Sequence, residues 1–168
     1  VAELARLEIP YVFYSLRGLY SKQVVMDALA LFKLLDNYHE STAVYRALNI
    51  PTFRINYKDF VTLSHQAQKR TESLYCVLQK IDLFKNIEDQ TRDRVKKLIS
   101  LIDKYSPLAK TKKVSEIYTG LFQDSGYLKY LASTDNQESR QQLGYLQQFY
   151  QKIKDFENDV VKNSAIQN

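Results

Sequence analysis

Glycine and proline are scarce in this 168-residue chain, with four of the first and three of the second. So little punctuation excludes the many tight turns of a sandwich or barrel and favours long helices. A single cysteine, Cys76, excludes an internal disulfide and a thiolate zinc site. Set among apolar residues at helical spacing in SLYCVLQKI, it reads as a small buried hydrophobe. The two histidines, His39 and His65, have no metal-ligand spacing around them. The sequence also lacks a GxxxxGK[ST] loop to cradle phosphates, so the chain alone is not expected to hydrolyse a nucleotide. Paired carboxylates are few, and Glu88-Asp89 sits where a helix should begin, a place that dipole and capping effects explain. No apolar run approaches the roughly 20 residues that a membrane-spanning helix needs, and no membrane partner is expected. A signal-peptide pattern is missing too, and the first residue is Val1 rather than Met. Because Val1 already lies in a helical pattern, the chain reads as a piece of a longer protein, with the cytoplasm as its expected location.

What is present is an ordinary globular balance, 45% hydrophobic and 26% charged, in a length that suits one domain with a real core. Thirteen tyrosines and eight phenylalanines supply rings for half-buried positions. The net charge of +5 permits nucleic-acid binding without requiring it.

Apolar spacing predicts an all-α domain, with the run Tyr11 to Tyr14 after Pro10 as the one candidate strand. From Lys22 to Leu35 two stripes run side by side, Val25, Leu29, Phe32 and Val24, Ala28, Leu31, Leu35. A helix apolar on most of its circumference belongs at the centre of a domain, and Leu29 is taken as part of that centre. Ser41 is the expected N-cap of a short helix through Leu48, which Pro51 forbids from continuing. Asn56 should cap the next helix from Tyr57, with Asp59 in its first turn and Phe60, Leu63 and Ala67 on its apolar side. KRTESLYCVLQKI reads as a further helix. Another carries Val95, Leu98, Ile99 and Ile102 and stops at Ser106-Pro107. Val114, Ile117, Tyr118, Leu121 and Phe122 make the next stripe, and Gly126 marks a turn. A last long helix runs through Leu143, Leu146, Phe149, Ile153 and Phe156, and residues 158–168 read as a frayed tail.

Two segments carry a family resemblance. The first, Glu3 to Ile55, contains Ile9-Pro10-Tyr11, Gly18-Leu19-Tyr20, Met26-Asp27, Phe32-Lys33-Leu34-Leu35 and Leu48-Asn49-Ile50-Pro51. It resembles the crossing from subdomain 2A into subdomain 2B of UvrD-type superfamily 1 DNA helicases. The second, Tyr118 to Glu157, is similar to the later part of 2B. Together, and in the family's order, they cover nearly the whole chain. On this resemblance residues 1–14 are the tail of 2A and the crossing, and residues 15–157 are the helical 2B-like domain. Two departures stand out. Phe53-Arg54-Ile55-Asn56 replaces the glycine-rich turn that in the family approaches duplex backbone, and Val24 replaces an acidic residue. The AddA and RecB branch also varies here, so the branch stays open.

The resemblance implies a parent enzyme that is an ATP-dependent 3′ to 5′ DNA helicase. Its ATP and magnesium would sit between subdomains 1A and 2A, leaving no cofactor for this chain. Implied partners are DNA, as duplex or duplex/single-strand junction, and the other subdomains of the helicase. Two roles are open. In one, Arg54, Asn56, Tyr57 and Lys58 contact duplex DNA: the helix start offers N–H groups to a phosphate, the cations flank it, and Tyr57 packs against a sugar. In the other, the domain docks on its own helicase core or a protein partner and regulates it with little DNA contact. Lys110, Lys112 and Lys113 form a second basic cluster, read as solvated surface.

Overall fold

The computed structural model describes residues 16–134 and 136–166. These form nine α-helices: α1 (Leu16–Tyr20), α2 (Gln23–Asp36), α3 (Ser41–Ala47), α4 (Tyr57–Arg70), α5 (Leu74–Gln79), α6 (Asp89–Ala109), α7 (Val114–Ser125), α8 (Tyr127–Ser133) and α9 (Gln137–Ile166). A 3-10 turn, Ile81–Leu83, links α5 to α6. No strand occurs among the described residues, and the candidate strand at 11–14 lies outside them.

The expected central helix is central. α2 packs against α1, α3, α6 and α9. Val24, Val25, Ala28, Leu31 and Leu34 on it are fully buried. Leu29 and Phe32 are only partly buried, so the centre lies on the face of Leu31 and Leu34 rather than at Leu29. Two long-range polar contacts fasten α2. Asp27, 2% exposed, forms an ion pair with Arg46 of α3 (Nε to Oδ1, 2.8 Å) and accepts the Tyr127 hydroxyl proton at its other oxygen, 3.0 Å away. Arg46 also donates to the Gln23 carbonyl at 3.1 Å.

Several boundaries differ from the sequence reading, each for a local reason. Glu40 rather than Ser41 is the N-cap of α3; its carboxylate accepts from Thr42 and Lys33 instead of from the helix backbone. Lys69 and Arg70 end α4 rather than open α5. Thr71 turns left-handed (φ 53°) and Ser73 caps α5 by accepting the Cys76 N–H at 3.3 Å. Helix α6 carries through Ser106-Pro107 to Ala109. Proline removes one backbone donor, and here that loss falls in the last turn; the neighbouring Ser106 Oγ separately ties this turn to the Leu35 carbonyl of α2. In α9, Leu146 and Phe149 are buried but Phe156 is 70% exposed, while the next residue, Glu157, accepts from Ser115 of α7. That helix continues past residue 157 to Ile166. Gly126 is the expected turn: at φ 75° it ends α7 and opens α8 in a conformation that glycine adopts without a Cβ clash.

Candidate nucleic-acid interface

The segment that stands where a glycine-rich turn was expected is held by its apolar residues. Phe53 is fully buried and Ile55 is 9% exposed, while Arg54 between them faces solvent. The loop is closed by backbone bonds from Phe53 to the Ile50 carbonyl (2.8 Å) and from Ile55 to the Leu48 carbonyl (3.3 Å). Among the described residues the only non-glycine with positive φ is Thr71, so no residue of this turn requires the left-handed region. Two inward side chains thus do what tight glycine geometry would do elsewhere: they fix the path of the backbone.

Asn56 is the N-cap of α4, as its position predicted. Its Oδ1 accepts the Asp59 N–H at 2.7 Å, and its Nδ2 donates to Asp59 Oδ2 at 3.0 Å. The same carboxylate oxygen accepts the Glu88 N–H, 3.2 Å away, at the start of α6. Asp59 is 1% exposed. The first turn of α4 therefore holds a buried carboxylate of its own, and the Asp59 N–H is not free for a phosphate. Both polar atoms of Asn56 bond to Asp59, so the side chain caps α4. Tyr57, 81% exposed, and Lys58 project from the same turn into solvent.

The structure adds two cations that sequence spacing did not bring to this turn. Arg94 Nη1, from α6, donates to the Arg54 carbonyl. Lys97, one turn further on, places Nζ 5.6 Å from the Phe53 ring centre and donates to the Ser125 carbonyl at 2.8 Å. Several basic residues elsewhere are paired with carboxylates: Lys33 with Glu40, Lys80 with Glu72, Lys96 with Asp82, Lys104 with Asp124. Among the described residues no carboxylate pairs with Arg54, Lys58, Arg94 or Lys97. Four cations without a paired carboxylate around one turn, beside the buried Asp59, make a patch suited to a polyanion. The separation of Arg54 from Arg94 by 40 residues hides this grouping from any local pattern.

The other chemistry-bearing residues do not join it. Lys110, Lys112 and Lys113 are exposed, and Lys112 lies 3.8 Å from Glu116. His65 is exposed. Cys76 is half-buried rather than buried, with Sγ 4.0 Å from His39 Nδ1, which itself lies 2.8 Å from Ser73 Oγ. No three His, Cys, Asp or Glu side chains among the described residues converge to hold a metal ion. The sequence holds no GxxxxGK[ST] loop, the phosphate cradle of many nucleotide sites. No helix among the described residues is long and apolar enough to cross a membrane.

An all-helical domain with a basic turn and no nucleotide loop is the class these features define. Residues 1–168 match the UvrD-like helicase C-terminal domain, and the chain belongs to that family. It is similar to the ATP-dependent DNA helicase Rep of Buchnera aphidicola, 26% identical over 129 residues, covering 77% of this chain and 20% of that protein. It is also similar to the ATP-dependent DNA helicase PcrA of Staphylococcus epidermidis, 24% identical over 154 residues, or 90% of this chain and 21% of that protein. PcrA of Staphylococcus aureus is 22% identical over 154 residues, with shares of 90% and 20%. The chain thus spans about a fifth of the length of these curated relatives.

Proposed function

We propose that this chain is the 2B subdomain of an ATP-dependent 3′ to 5′ DNA helicase and contacts duplex DNA through the turn at Arg54, Tyr57 and Lys58. The observation that carries the reading is the locked turn, with Phe53 and Ile55 in the core and unpaired cations outside. Arg54 and Lys58 contact phosphates, Tyr57 lies against a sugar, and Asn56 keeps α4 in register behind them. Such contacts position the protein without reading base sequence. The domain rotates against the rest of the helicase to regulate unwinding. ATP and magnesium bind elsewhere in the whole protein, between subdomains 1A and 2A, and this chain alone hydrolyses no ATP. The cytoplasm is its place of action.

A second reading, docking on the helicase's own core or on a protein partner with little DNA contact, is favoured by the Asn56–Asp59 pair that closes the start of α4. The two separate on Arg54→Ala and Lys58→Ala, each titrated against two duplexes of unrelated sequence bearing a 3′ tail. DNA contact predicts weaker binding by the same factor on both sequences. Affinities equal to wild type would leave the docking role.

A further inference from the structure

We infer that Arg94 is a positioning residue for duplex DNA, acting through the backbone of Arg54. The inference rests on the duplex-contact reading of the 54–58 turn. Arg94 lies early in α6, a 21-residue helix whose flanking Val95 and Leu98 are fully buried, so its stem starts from a fixed base. Its guanidinium donates to the Arg54 carbonyl, not to a carboxylate. That bond fixes the peptide that carries Arg54 and leaves the Arg54 guanidinium unspent for a phosphate. Lys97 on the same helix lies over the Phe53 ring, so α6 grips two consecutive residues of the turn, one by ring and one by carbonyl.

Arg94 brings a second cation to the Arg54 peptide with no carboxylate paired to either, and like charges repel. Further along the same helix an acid does stand beside a surface cation, Asp82 beside Lys96 at 2.7 Å. The arrangement makes sense when a polyanion supplies the missing negative charge. Arg94 then holds the turn through the Arg54 carbonyl without competing for the phosphate that Arg54 takes.

A double-mutant cycle on the 168-residue chain tests this, with a duplex carrying a 3′ tail as probe and fluorescence anisotropy as readout. Arg94→Ala should weaken binding by about threefold to tenfold in the wild-type background and add little in the Arg54→Ala background, because its effect passes through Arg54. Arg94→Lys, which keeps a donor and the charge, should restore part of the loss. Circular dichroism of each variant separates loss of the site from loss of the fold, and Arg94→Gln serves where the alanine variant does not fold. Equal effects in both backgrounds would make Arg94 an independent contact and overturn the inference. So would unchanged affinity of Arg94→Ala beside a weakened Arg54→Ala. Absence of wild-type binding at low salt would instead overturn the duplex-contact reading, and this inference with it.

Discussion

Tyr127 donates its hydroxyl proton to the buried carboxylate of Asp27 at 3.0 Å, across 100 residues of sequence. The contact joins the central helix to α8, and with Arg46 it completes the partners of a carboxylate that is 2% exposed. Removing the hydroxyl leaves a buried acceptor short of a donor. Tyr127→Phe should therefore cost about 1–3 kcal/mol in urea unfolding. Arg46→Ala strands the charge itself and should cost more, about 3–5 kcal/mol. A pair of variants each within about 0.5 kcal/mol of wild type would show that the network contributes little.

The same carboxylate sets a pH dependence. Burial pushes the Asp27 carboxyl up from its ordinary value, against the opposing pull of the Tyr127 hydrogen bond and the Arg46 guanidinium. A folded-state value above the unfolded one means that the folded protein binds this proton more readily. The stability it contributes is complete below the unfolded value and is lost as pH rises through the folded value. Wild type should thus lose stability relative to Asp27→Asn as pH rises above the ordinary carboxylate range. Parallel stability profiles for the two proteins would contradict this.

Core position, rather than apolarity, should govern large-to-small changes in α2. Leu34 is fully buried and Leu29 only partly so. Leu34→Ala should cost about 2–5 kcal/mol, and Leu29→Ala clearly less. Denaturant midpoints of the two variants give the order directly, and a larger loss at Leu29 would misplace the core.

Asn56→Ala should lower stability by about 1 kcal/mol through the lost cap, while leaving the salt dependence of DNA binding as in wild type. Both polar atoms of Asn56 already serve Asp59. A change in salt slope with unchanged stability would restore Asn56 to the DNA contact.

Local patterns made most of the helices legible. Stripes at helical spacing located α2, α6, α7 and α9, and cap chemistry located the start of α4 at Tyr57. What escaped were features set by tertiary partners. Pro107 reads as a stop, yet α6 passes it because its missing donor falls in a last turn already braced against Leu35. Cys76 reads as core, yet the side of α5 that carries it meets His39 rather than the interior. Phe156 continues the apolar spacing yet is exposed, because α9 turns Glu157 rather than Phe156 to α7 at this level. At the basic turn, Arg54, Tyr57 and Lys58 were legible by their neighbourhood in sequence. Arg94 and Lys97 were not, because only the packing of α6 behind the turn brings them there.

The central claim is that this turn contacts DNA phosphates, and the most direct test is the salt dependence of wild-type binding to a duplex with a 3′ tail, followed by fluorescence anisotropy. Phosphate contact predicts a linear fall of log affinity with log salt, with a slope of about −0.9 for each phosphate neutralised. Arg54→Ala should reduce that slope by about one contact. No binding at low salt, or binding with a flat slope, would contradict the claim.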